Sequence, residues 1–160
     1  MSDGKLRITA KGDREIVMTR DFHAPRRMVF DAYTKPELLQ RWLGYRDGWT
    51  MPVCEVDLRV GGAYRFTWRN DAKGMEMTVR GVYREIAAPD RIVNTEKFDE
   101  PWYPGEAVIT TELTEKNGTT TLTSTIRYET VEARDAVLKS PMAGGVAQSY
   151  DQLDELLSAR

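Results

Sequence analysis

The chain is poor in the residues that usually mark a chemical centre. It has one histidine, His23, and one cysteine, Cys54, among 160 residues. A single cysteine excludes an internal disulfide and suits a reducing compartment. One histidine and one cysteine leave no ligand set for the usual zinc sites within one chain. No Asp-rich loop has the spacing of a calcium or magnesium site, so neither a metal nor a cofactor is expected. No run approaches the roughly 18 apolar residues that would suggest a membrane span. The N-terminal stretch MSDGKLRITAKGDRE has no apolar signal core, and a cytoplasmic location is the simplest expectation. Excess charge of either sign is also missing. Lys and Arg number 23 against 25 Asp and Glu, for a net charge of −2. The basic residues are scattered, which argues against a nucleic-acid partner.

What is present reads as one α+β domain spanning residues 1–160, a length that suits a single core. Residues 14–22, REIVMTRDF, alternate Ile16, Met18, Arg20 and Phe22 against Glu15, Val17, Thr19 and Asp21. That period of two predicts a strand. Residues 1–13 are expected to be loosely ordered or to add a short extra strand through the Lys11-Gly12-Asp13 turn. Pro25 then suits the first turn of a helix over Arg26–Thr34. A second short helix follows, with Thr34 and Glu37 at capping-box spacing and Leu38, Leu39 and Trp42 as its apolar stripe.

From Val53 to Tyr128 six strands follow one another through short turns, which implies an antiparallel meander. Asn117-Gly118 is the sharpest of the turn signals, because a two-residue hairpin loop of this kind needs positive φ at both positions. The C-terminus changes period. Met142, Val146, Ser149, Tyr150, Leu153 and Leu157 trace one face of a long helix. A sheet with one apolar face needs a cover, and this helix is the element long enough to provide it.

Four stretches in order carry a family resemblance: REIVMTRDFHAPRRMVFDAYTKPELLQRWLG, DLRVGGAYRF, GVYREIAAPDRIVNTEKFD and EARDAVLKSPMAGGVAQSYDQLDELL. They resemble the START-like, birch-pollen-allergen-like superfamily (SRPBCC), and within it bacterial relatives of the C-terminal domain of the heat-shock protein 90 ATPase activator. The resemblance implies a helix-grip fold, a curved antiparallel sheet wrapped around a long C-terminal helix with two short helices after the first strand. It also implies a cavity between sheet and helix. It implies no single activity, since the superfamily includes carriers, polyketide cyclases and chaperone activators. Relatives often carry a bulky aromatic near Val146, and valine there would enlarge the cavity or reflect local repacking.

Expected cavity residues are Trp42, Tyr64, Phe66, Trp68, Met77, Val79, Met142, Val146, Tyr150 and Leu153. Each also fits as plain core, because in this architecture core and pocket share one face. Arg20, Glu96, Glu112 and Ser149 are candidate polar anchors. The structural alternative for Arg20 is an ion pair with Glu96 or Glu112. Trp49, Trp102 and Tyr103 lie in loops and are candidates for a lid, or fold back onto the sheet. His23 is expected to help cap the first helix and Cys54 to fill core. No nucleophile, base and orienting group come together in the sequence, so no catalytic residue is assigned. The expectation is therefore a binder of an apolar small molecule such as a lipid, polyketide or flavonoid-like aromatic. A cyclase- or hydrolase-like enzyme using the same cavity and a chaperone-interacting protein are the alternatives. A monomer or homodimer fits equally.

Overall fold

The computed structural model describes residues 5–44 and 47–159, so residues 1–4 of the expected N-terminal segment, residues 45 and 46 of the first aromatic loop, and residue 160 lie outside it. The chain opens with strands β1 (Arg7–Lys11) and β2 (Glu15–Phe22), joined through the turn at Gly12. The extra N-terminal strand therefore forms, and the two short helices follow β2. They are α1 (Arg26–Thr34) and α2 (Pro36–Leu39), and α2 runs on into one π turn, Gln40–Gly44. Six strands come next: β3 (Thr50–Val56), β4 (Ala63–Asn70), β5 (Met75–Ala87), β6 (Arg91–Phe98), β7 (Ala107–Lys116) and β8 (Thr119–Arg127). Helices α3 (Val131–Lys139) and α4 (Met142–Ser158) end the chain.

The eight strands form one open antiparallel sheet in the order β1-β2-β8-β7-β6-β5-β4-β3. The meander from β3 to β8 brings the last strand back beside β2. The α1–α2 segment is the one connection that must cross from β2 to the far edge. Asn117 and Gly118 both have positive φ (53° and 79°), the backbone a two-residue type I′ hairpin requires.

Alternation decides which residues face the helix. On β2 every second residue is buried, namely Ile16, Met18, Arg20 and Phe22. On β8 the buried set is Thr120, Leu122, Ser124 and Ile126. The buried apolar residues fall into two clusters. One gathers around Phe22, Trp42, Tyr64, Tyr83, Tyr150 and Leu153, the other around Ile16, Met18, Tyr103, Ile126, Tyr128 and Val137. Val146 and Phe98 pack against both.

Two local expectations change. Thr34 is buried and donates to the Phe30 carbonyl at 2.9 Å. It therefore bonds back into α1 and caps nothing, while Lys35 stands at the N-cap of α2 without a side-chain bond. His23 does not cap α1 either. Its Nδ1 lies 3.2 Å from the Thr119 hydroxyl, because the chain leaves β2 beside the start of β8.

Candidate functional site

Between the sheet and α4 lies a cavity of about 580 Å³. Its walls come from both clusters, so the apolar interior is divided by open space that side chains do not fill. The aromatic face of β4 forms one wall. Tyr64, Phe66 and Trp68 all line the cavity, with neighbouring ring centroids 5.1 and 6.1 Å apart. Their inward direction follows from the period of two along the strand.

The Tyr64 ring lies across β5 at Gly81, where an added Cβ would run into the Thr95 carbonyl and into the ring itself. That close approach requires glycine. It lets the Tyr64 hydroxyl donate to the Thr95 carbonyl at 2.6 Å and accept from the Asn94 amide at 3.2 Å.

Trp42 forms the floor near α1. It is buried, its indole N–H donates to the Ala32 carbonyl at 2.8 Å, and its ring stands 6.1 Å from that of Tyr150. The Tyr33 hydroxyl donates to the Tyr150 hydroxyl at 2.9 Å. Burial raises both phenols above their ordinary value of 10, so both stay neutral near pH 7. On α4, Met142, Gly145, Val146, Ser149 and Tyr150 face the cavity. Val79 lies at its base and the half-exposed Met77 at its mouth. Trp49 and Trp102 also line it, and Trp102 keeps 43% of its surface exposed.

Four expected site residues are placed differently. Arg20 is buried, as its strand position predicts, but its partners are on the helix. Nη1 lies 2.8 Å from Asp151 and Nη2 lies 3.9 Å from Asp154. The long side chain runs under the edge of α4, its guanidinium 5.2 Å from the Phe22 ring centroid, and it does not reach the cavity lining. Glu112 faces outward and pairs with Arg91 at 2.8 Å. Its neighbours Thr111 and Leu113 are the buried positions of β7, so no carboxylate can point inward there. Tyr103 is no lid. It is buried at 4% exposure, edge-on to Phe98, Trp102 and Tyr128. Leu153 is fully buried in the core beside the cavity and forms no part of its wall.

Glu96 is the acidic candidate that does face the cavity. It shares the inward side of β6 with Ile92, Asn94 and Phe98, all of which line the space. The Tyr103 hydroxyl donates to its Oε1 at 3.0 Å. Desolvation by burial holds its carboxyl above the ordinary value of 4.5, the Tyr103 bond opposing it.

The lining residues that sequence reasoning missed include Tyr33, Asn94, Phe98, Thr111, Ser124 and Tyr128. The alternation Ile92, Asn94, Glu96, Phe98 was the signal that could have found Asn94. Cys54 is half-buried, near the Pro36 carbonyl, and burial pushes its thiol up to about 11. A neutral thiol is a poor nucleophile. Among the described residues no three His, Cys, Asp or Glu side chains could hold a metal ion. No helix among them is long and apolar enough to cross a membrane.

An open antiparallel sheet gripping a C-terminal helix over an aromatic cavity defines an α+β helix-grip protein. A family model described as "Activator of Hsp90 ATPase homolog 1-like protein" matches residues 23–158, and the chain belongs to that family. A search of curated proteins found no match. Among solved structures, a Rhodobacter sphaeroides protein is 32% identical over 98% of this chain and 99% of its own, with a TM-score of 0.91. A Chromobacterium violaceum protein is 30% identical over 91% of this chain and 98% of its own, with a TM-score of 0.76. An HSP90 activator from Plasmodium falciparum is 26% identical over 71% of this chain and 72% of its own, with a TM-score of 0.55.

Proposed function

We propose that this protein binds an apolar small molecule in the cavity between its sheet and α4, and that it does so in the cytoplasm. The observation that carries the proposal is the cavity itself. A volume of about 580 Å³ falls within the roughly 300–1,000 Å³ of small-molecule sites. The rings of Tyr64, Phe66, Trp68 and Trp102 supply a broad apolar wall. Interiors are normally close-packed, so a gap of this size is a departure that a ligand would relieve.

Titration with Nile red, an uncharged apolar dye, tests this. The expected result is saturable 1:1 binding with a change in tryptophan fluorescence and a rise in Tm. Absence of binding by the dye and by a broad panel of uncharged apolar compounds would remove the proposal.

Contact with a chaperone is a second reading, supported by the family and by the Plasmodium activator. Stimulation of the cognate chaperone's ATPase would support it, and no binding in a pull-down would count against it.

A further inference from the structure

The charge in the cavity wall is of one sign. Among the described residues that line the space, Glu96 is the one ionisable acid or base apart from the tyrosines. Among the described residues no Lys, Arg or His lines it. Arg20, the cation nearest in sequence logic, is held by Asp151 and Asp154 at the helix edge.

Glu96 has one protein partner, the Tyr103 hydroxyl on Oε1. Among the described residues no donor reaches Oε2. A desolvated carboxylate wants a cation or further donors, and among the described residues its one side-chain donor is the Tyr103 hydroxyl.

The surroundings suit a cation. The Tyr103 ring that holds Glu96 stands edge-on to Phe98, Trp102 and Tyr128, with centroids 6.1, 5.2 and 5.2 Å away. All three of those rings line the cavity. Aromatic rings beside a carboxylate attract an organic ammonium through their quadrupoles while burying its carbon skeleton.

We infer that the ligand is an apolar amine whose ammonium group is held by Glu96 within the rings of Phe98, Trp102 and Tyr128. This rests on the cavity being the binding site proposed above, and it names the class of molecule that site takes. A fatty acid or phenolate is disfavoured, because its charge would face Glu96 with no counter-cation among the described lining residues.

Three probes with one skeleton test it: naphthylethylamine, naphthylethanol and naphthylacetate, titrated against the wild type and against Glu96→Gln. The amine is expected to bind the wild type about tenfold tighter than the alcohol, the margin of a charge-assisted over a neutral hydrogen bond, and the acid weakest. Glu96→Gln should bring amine and alcohol together. A wild type that binds the alcohol or the acid as well as the amine overturns the inference, whatever the variant does. So does an amine preference that survives in Glu96→Gln. In either case Nile red binding would leave the cavity proposal standing, and its loss in the wild type would remove both.

Discussion

Gly145 offers a direct test of whether the space under α4 is open. It lines the cavity, and among the described residues a Cβ built on it meets no heavy atom within 4 Å outside its own helix backbone. Its backbone is helical, so a side chain adds no backbone strain. Gly145→Ala should stabilise the protein by up to about 1 kcal/mol from helix propensity alone. For a chain of this size that raises Tm by about 2–4 °C. Gly145→Phe adds a ring to the cavity. Phenylalanine recovers only about half the propensity gain, but burying its side chain contributes about 1.5–3 kcal/mol more where no neighbour must move.

The consequence for binding can be scaled as well. A benzene ring fills an apolar cavity of about 150 Å³, so one benzyl group removes about a quarter of the 580 Å³ here. The assay is thermal unfolding of both variants beside Nile red titration. The expected pattern is higher Tm for both, with dye binding kept in Gly145→Ala and weakened in Gly145→Phe. A phenylalanine variant that is destabilised, by the roughly 1–3 kcal/mol typical of overpacking, would refute the reasoning. It would mean that α4 closes on the sheet in solution.

Other expectations follow from single contacts. Arg20 is 4% exposed while Asp151 and Asp154 are 68% and 43% exposed, so the cost of separating them is unequal. Replacing both acids with Asn strands a buried cation and should cost about 2 kcal/mol in urea unfolding, less than a fully buried pair because water reaches the carboxylates. Arg20→Met should cost under about 1 kcal/mol, and a larger loss than the double variant would contradict the assignment. Glu96 has a folded pKa above 4.5, so the native state holds its proton more tightly than the unfolded chain. Its contribution is present below the unfolded pKa and is lost as pH rises through the folded one. The stability of Glu96→Gln relative to wild type should therefore grow from acid toward neutral pH, and a flat difference would show that Glu96 is not desolvated. Gly81→Ala should cost about 1–3 kcal/mol by driving a methyl into the Thr95 carbonyl and the Tyr64 ring, and unchanged stability would mean that Tyr64 does not cross there.

Much of the fold was legible residue by residue. The side-chain direction along a strand is local covalent geometry, so the inward set of β2, β4 and β8 followed from alternation alone. The Asn117-Gly118 hairpin was legible for the same reason, since its φ values are a property of two residues. The α4 stripe followed from a period of 3.6, although it could not tell Leu153 in the core from Val146 on the cavity wall. Both lie on one face, and only the curvature of the sheet decides which of them meets a neighbour.

Partners were not legible, because they join elements far apart in sequence. Arg20 finds Asp151 across 131 positions, where the angle at which α4 crosses β2 sets the reach. Tyr103 turned inward because Phe98, Tyr128 and Glu96 leave a slot for its ring and a partner for its hydroxyl. The sequence by itself determined which residues face the helix, where the chain turns and which family it belongs to. Only the tertiary structure decided that the helix and sheet stand apart, and that Glu96 faces the gap with no cation among the described residues. Local periodicity specifies direction, while the space between two elements depends on their separation and curvature, which many distant side chains set together.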